Sequence, residues 1–277
     1  MAIVLGDPVG PLEEIEETLR SFIELCHQNS WSVVFHQTLP DFLPIYRSLG
    51  FRKLKIGDDA IVDLQSFSLS GRRMKHLRNN IHHLTRSAVQ IVRYDPPIPE
   101  HILAALKAVS DDWLQIPGRR ERSFTMGRFS EDYIAGTPIL AAVDQQGQFL
   151  AFVNLIPSYR GGEATIDLMR HRIEVPNGIM DYLFIKLFEY NRELGYQRVN
   201  LGMAPVAGFN ENEKASSEER TVHFFLQGLT FIFSFEGLRQ YKAKFASQWE
   251  PRYCIYRNVF SLPKFALALA KVTEFSD

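Results

Sequence analysis

Cysteine is nearly absent: the 277 residues hold two, Cys26 and Cys254. Each lies in an apolar stretch, and neither belongs to a C-x-x-C or zinc-like spacing. A disulfide framework and a cysteine metal site are therefore excluded, and both residues are expected as buried free thiols. Net charge is also missing, at -1, so the chain as a whole has no attraction for polyanions. No apolar run approaches the roughly 20 residues that cross a bilayer. The N-terminus lacks a signal-peptide pattern, so a cytoplasmic chain is expected. There is no repeat at a solenoid period and no low-complexity segment. Neither a Ser/His/Asp arrangement nor a metal-ligand cluster emerges. His82 and His83 are adjacent and cannot face one another on a helix.

What is present is an ordinary globular composition, 45% hydrophobic, 23% charged and 12% aromatic, enough for a sizeable core. The charges are unevenly placed. Between Ser70 and Tyr94 stand six Lys/Arg and three His with no Asp or Glu. Arg239 to Lys264 holds six more Lys/Arg, interleaved with Tyr241, Phe245 and Trp249. A basic segment with interleaved aromatics fits RNA or an anionic headgroup, and equally a core aromatic set with solvated cations. Arg119, Arg120 and Arg122 make a third basic group in a loop.

Hydrophobic spacing gives the elements. Strands are expected at Ala2–Leu5, Ser32–His36 and Lys53–Leu64, and helices at Leu12–Cys26, Pro44–Leu49 and Gly71–Arg86. The Gly71–Arg86 helix has one apolar stripe, Met74, Leu77, Ile81 and Leu84. Pro96, Pro97 and Pro99 break the chain, and a domain boundary is placed there. A helix at His101–Val109 and a Gly/Arg-rich loop at Gln115–Phe129 follow. Ile139–Asp144, Gly147–Pro157 and Glu163–Met169 read as antiparallel strands, the first two joined at an Asp144–Gly147 turn. Ile179–Leu194 is an amphipathic helix with Asn177 as its N-cap and Gly195 just beyond its end. Arg198–Gly202 and Arg252–Phe260 read as strands, and Ala215–Leu226 and Pro263–Val272 as helical. This mixture is an α+β fold.

The stretch Phe149–Asp181 carries the most chemistry. It reads as strand, turn, strand, loop and helix start, and sets Asp167 and Arg170 near a strand end before a glycine-containing loop. Three apart on a strand, the two side chains point in different directions. Asn154 projects a polar group from the apolar F-V-N-L-I-P run.

Several motifs together carry a resemblance. They are G-D-P-V-G at Gly6, G-R-R-M-K-H-L-R-N-N at Gly71, F-x-x-G-x-F at Phe124, A-F-V-N-L-I-P at Ala151 and D-L-M-R at Asp167. P-N-G-I-M-D at Pro176, G-Y-x-x-V-N-L-G-M-A-P at Gly195, G-L-R-Q-Y-K-A-K-F at Gly237 and W-E-P-R-Y at Trp249 complete the set. In order and across nearly the whole chain, this resembles the C-terminal catalytic domain of the bacterial phosphatidylglycerol lysyltransferases and alanyltransferases, the multiple peptide resistance factors. The resemblance implies tandem GNAT-like acyltransferase modules: residues 1–95 as a first module shortened at its N-terminus, and 96–277 as the catalytic one. It implies transfer of an amino acid from aminoacyl-tRNA to phosphatidylglycerol at the membrane surface, with no cofactor and no metal.

Under that resemblance Asp167 holds the donor ammonium or takes the acceptor's proton, and Arg170 neutralises an oxyanion or a phosphate. Asn154, Glu163, Asn177 and Gly178 are counted as lining the substrate site, with a satisfied structural amide as the other reading of Asn154 and a solvated polar residue as that of Glu163. Arg239, Lys242, Lys244 and Arg252 contact substrate. A coenzyme A acetyltransferase of the superfamily cradles a pyrophosphate at the helix start. Here Pro176 removes a donor, Ile179 and Met180 replace a small residue, and Asp181 adds negative charge. Coenzyme A is thereby disfavoured. The other readings are aminoacyl transfer to a different acceptor, as in the Fem-type enzymes, an acyl-CoA N-acyltransferase, and a non-catalytic tRNA- or lipid-binding module.

Overall fold

The computed structural model describes residues 1–205 and 235–274. The helix expected over Ala215–Leu226 lies outside them. In chain order the elements are β1 (Ala2–Leu5), α1 (Ile15–Gln28), β2 (Val33–Thr38), α2 (Leu43–Ser48), β3 (Arg52–Asp63), α3 (Lys75–Arg86), β4 (Gln90–Tyr94), α4 (Glu100–Leu114) and α5 (Glu131–Ala135). There follow β5 (Ile139–Val143), β6 (Phe149–Ile156), β7 (Glu163–His171), α6 (Ile179–Glu193), β8 (Arg198–Pro205), α7 (Phe235–Lys242), β9 (Gln248–Tyr256) and α8 (Leu262–Thr273). The class is α+β, as the element pattern predicts.

Contacts divide the chain into two compact units. One gathers Met1–Ala60, Met203–Lys244 and Trp249–Asp277, the other Ile61–Gly202 and Phe245–Gln248. This differs from the consecutive division 1–95 and 96–277 expected from the proline cluster. The prolines lie inside the second unit, where they join β4 to α4. Ile98, between them, is 5% exposed and part of that unit's core. The basic helix α3, assigned to the first module from sequence, likewise falls in the second unit.

In the first unit the strand order runs β1-β2-β9-β3, with β1 and β2 parallel and β2 and β9 antiparallel. Alternation along β2 serves two cores. Phe35 packs with Leu19, Ile23 and Cys26 of α1 and with Tyr46 and Phe51. Val34 faces Leu54, Cys254 and Tyr256 together with Leu262 and Phe265 of α8. Both cysteines are buried and unpaired, as expected. β9 begins and ends four residues earlier than its apolar run predicts. The Asn258 side chain accepts the Phe260 N–H and turns the chain into α8 instead.

In the second unit the order runs β8-β7-β6-β5-β4, antiparallel from β4 to β7. β7 and β8 are parallel, as their connection through the crossover helix α6 requires. At the β5–β6 turn Gly147 sits at φ 80 and donates its N–H to the Asp144 carbonyl at 3.0 Å. Ile102, Leu106 and Val109 of α4 pack on Phe152 and Leu168, and α3 packs on α6.

Candidate functional site

Burial alternates along β7: Ile166, Leu168 and Arg170 are buried, whereas Thr165, Asp167 and Met169 are half-buried. Asp167 and Arg170 thus fall on opposite faces, as their spacing predicts. The register between β7 and β8 runs from Glu163↔Arg198 to Thr165↔Asn200. Asp167 lies just beyond its last pair. A bulge between Val153 and Leu155 interrupts the pairing on the other edge of β7. Asn154 spans it, accepting the Leu168 N–H at 2.7 Å and donating to Thr137 Oγ1 at 3.4 Å.

Both Asp167 oxygens have donors. Oδ1 accepts the Gly127 N–H at 2.9 Å and Oδ2 accepts the Tyr133 hydroxyl at 2.6 Å. Gly127 is required by this approach: a Cβ there would lie 1.8 Å from Oδ2. Burial, and then the Asp167 carboxylate, push the Tyr133 phenol well above its ordinary value. Tyr133 therefore remains a donor, and Asn154 hydrogen-bonds to it in turn. The resulting relay Asn154–Tyr133–Asp167 fixes the orientation of the carboxylate.

Arg170 is 3% exposed. Its guanidinium meets Glu121 in a two-pronged ion pair, both contacts at 2.7 Å, and donates to Ser110 Oγ at 2.5 Å. The Trp113 ring lies 4.8 Å from its central carbon. These contacts give the cation a carboxylate partner within the protein and fasten the 115–129 loop to β7. The loop is thus tied at two places, Glu121 on Arg170 and Gly127 on Asp167.

The loop after β7 opens α6 at Gly178, not Asn177. Gly178 is the N-cap at φ 82, with no side-chain cap bond, and Asn177 is exposed. The Ile179 N–H, the first of the helix, donates to the Pro176 carbonyl at 3.2 Å. Asn80 of α3 crowds the same turn, so that a Cβ on Gly178 would meet its Nδ2 at 2.6 Å. Asp181 is buried in the first turn of the helix. A neighbouring amide thus stands against the helix start, and the first turn holds an acidic residue, both unfavourable to a pyrophosphate there. Glu163, expected to line the substrate site, is 6% exposed and pairs with Arg198 at 2.8 Å. It closes the start of the β7–β8 pairing.

The cations expected as substrate contacts belong to the first unit. Arg239 reaches Asp58 at 3.3 Å and stacks 4.2 Å from the Trp249 ring centre. Arg252 Nε donates to Asp59 at 2.8 Å and its Nη1 to the Gln37 carbonyl at 3.3 Å. Lys242 is buried, donates to the Met203 carbonyl at 3.1 Å, and is lowered to about 8 by desolvation, against the pull of Asp59. Lys244 is exposed and lies 4.6 Å from the Tyr241 ring centre. Phe245 packs against the Phe184 and Phe188 rings, tilted to the first and edge-on to the second, as core in the second unit. The interleaved aromatics of this stretch thus pack against protein groups, and Lys244 alone of the four cations is exposed. Among the described residues no cluster of His, Cys, Asp and Glu has the arrangement of a metal site.

The family description "Phosphatidylglycerol lysyltransferase, C-terminal" matches residues 1–256. The chain belongs to this family. Phosphatidylglycerol lysyltransferase of Bacillus subtilis (strain 168) is 35% identical over 260 residues, 94% of this chain and 30% of that protein. The chain thus spans about a third of the length of the curated relatives it matches. The structure of L-PGS from Bacillus licheniformis is 34% identical, with TM-score 0.87 over 98% of this chain and 82% of that one. FemX, at 12% identity and TM-score 0.55 over 90% of this chain and 79% of that one, shares the fold alone.

In this member of the family, several of the residues around Asp167 and Arg170 escape sequence reasoning. Tyr133, Glu121, Ser110 and Trp113 stand far from β7 in the chain and belong to no local motif. Gly127 does leave a signal, as the glycine of F-x-x-G-x-F.

Proposed function

We propose that the chain transfers an amino acid from aminoacyl-tRNA to a hydroxyl of phosphatidylglycerol or a related acceptor. The acceptor oxygen attacks the ester carbonyl, the bond from that carbonyl to the terminal ribose oxygen breaks, and the acceptor's proton passes to the ribose. Such a transesterification needs positioning and a charge partner, with no nucleophilic side chain. Asp167 is the catalytic residue in this reading. Its oxygens keep lone pairs beyond the two hydrogen bonds they accept, enough to hold an α-ammonium or relay the proton. Arg170 is a positioning residue that holds the 115–129 loop over β7.

Membership in the family supports the acceptor. The observation that carries the donor is Asn80 against Gly178: a side-chain amide of α3 stands at the helix start where coenzyme A would need free backbone N–H groups for its pyrophosphate, whereas a tRNA 3′ end needs no pyrophosphate cradle. No helix among the described residues is long and apolar enough to cross a membrane. The lipid hydroxyl is presented at the bilayer surface and charged tRNA on its cytoplasmic side, so the reaction is assigned to that surface.

The test is transfer of radiolabelled amino acid to phosphatidylglycerol vesicles, with tRNA charged separately with lysine, alanine or arginine. Labelled lipid that disappears with Asp167→Ala is expected, and it names the amino acid as well. Labelled lipid formed equally well by Asp167→Ala would remove Asp167 from the chemistry. A thermal shift with coenzyme A and none with charged tRNA would overturn the donor.

A further inference from the structure

The C-terminal helix α8 is apolar on two sides. Its inner face, Leu262, Phe265 and Ala266, is buried in the first unit's core. Its outer side carries Leu267, 59% exposed, and the turn that leads into it carries Phe260, 85% exposed. Lys264 and Lys271 are exposed as well. Phe260, Lys264, Leu267 and Lys271 follow one another at spacings of four, three and four, so they form one stripe along the helix. The helix itself contains no Asp or Glu.

We propose that this stripe docks on an anionic lipid bilayer. A surface helix of a soluble protein normally turns a charged or polar face to water. Here the outward stripe alternates large apolar groups with lysines. That pattern lets Phe260 and Leu267 enter the headgroup boundary while the lysine stems lie along it and place their ammonium groups on lipid phosphates. Within the helix the charge of this stripe is of one sign, with the acidic Glu274 only at its C-cap, and this fits a negative membrane surface. A nucleic acid would leave Phe260 and Leu267 without a partner. The proposal rests on the reading that the acceptor is a bilayer lipid and is independent of the donor.

Co-sedimentation of the 277-residue chain with vesicles tests it. Binding to vesicles containing phosphatidylglycerol and weak binding to phosphatidylcholine alone are expected. Phe260→Ser with Leu267→Ser is expected to weaken binding about tenfold, and Lys264→Ala or Lys271→Ala about fivefold each at low salt. Phe260→Trp gives a direct readout, an indole emission quenched by brominated acyl chains. Transfer to phosphatidylglycerol dispersed in detergent should be the same for the serine variant as for the parent. Unchanged sedimentation of the serine variant, or an indole emission that brominated chains fail to quench, overturns the proposal while leaving the detergent assay to report on the acceptor reading by itself. A parent dimer made monomeric by the serine pair, with vesicle binding retained, would assign the stripe to a second copy of the chain and overturn the proposal too.

Discussion

The Tyr133 hydroxyl donates to Asp167 Oδ2 at 2.6 Å, across 34 residues of sequence. The phenol stays protonated because burial and the carboxylate both oppose its ionisation, so the direction of the bond is fixed. Tyr133→Phe removes one of the two donors that orient Asp167 and leaves the ring packed. Transfer is expected to fall about tenfold to a hundredfold, in line with a hydrogen bond to a charged group. Initial rates of lipid labelling, with thermal unfolding as the control for folding, check this. A rate equal to the parent's would mean that Tyr133 does not position the carboxylate.

Gly127→Ala places a methyl where Asp167 Oδ2 now sits. The carboxylate or the loop must move, at a cost of about 1–3 kcal/mol for overpacking. Transfer is expected to fall below that of Tyr133→Phe, with a lowered thermal midpoint. Unchanged unfolding and unchanged transfer together would show that the loop and Asp167 part in solution.

The Glu121–Arg170 pair is asymmetric in burial, with 22% and 3% of the two side chains exposed. Removing Glu121 strands a buried cation, whereas removing Arg170 leaves a carboxylate that reaches water. Glu121→Ala is therefore expected to cost about 3–5 kcal/mol, and Arg170→Ala less beyond its lost packing. Urea unfolding of the two variants ranks them. The reverse ranking would contradict the role of Glu121 as the counterion.

His36 is buried beside Phe265 and lowered to about 4 by desolvation. Between about pH 4 and the ordinary value of about 6.5, the unfolded chain binds more protons than the folded one. Its contribution to stability therefore rises with pH across that window and is lost as pH falls. The effect reaches about 3 kcal/mol at the acid end. Asp7 works in the opposite sense, because burial raises it to about 6 and the folded chain then holds the extra proton. The His36 contribution is read as the difference between the parent and His36→Leu. The gap in unfolding free energy should swing in favour of His36→Leu as pH drops from about 7 to about 4.5; a constant gap would refute it.

Local features are legible in the sequence because they obey local rules. The α1 stripe, the Asp144–Gly147 turn, the opposed directions of Asp167 and Arg170 and the burial of both cysteines follow from period and spacing. The N-cap of α6 falls one residue later than the capping rule places it, since Gly178 satisfies by conformation what Asn177 would satisfy by its side chain. The ion pair of Arg170 is not legible, because nothing near it in the chain reveals Glu121. Asp58 and Asp59 likewise neutralise Arg239 and Arg252 from nearly two hundred residues away. Long-range charge partners leave no period in a sequence.

Asn80 also bears on how readily this scaffold could change its donor. Introducing a glycine-rich turn at 176–180 by mutation would leave the Asn80 side chain against Gly178, since that contact comes from α3, about a hundred residues upstream. Coenzyme A binding at this helix start is expected to need a shift of the Asn80 side chain as well as new loop residues. Under the proposed donor, helix packing and loop sequence both disfavour coenzyme A, and loop replacement alone should not admit it.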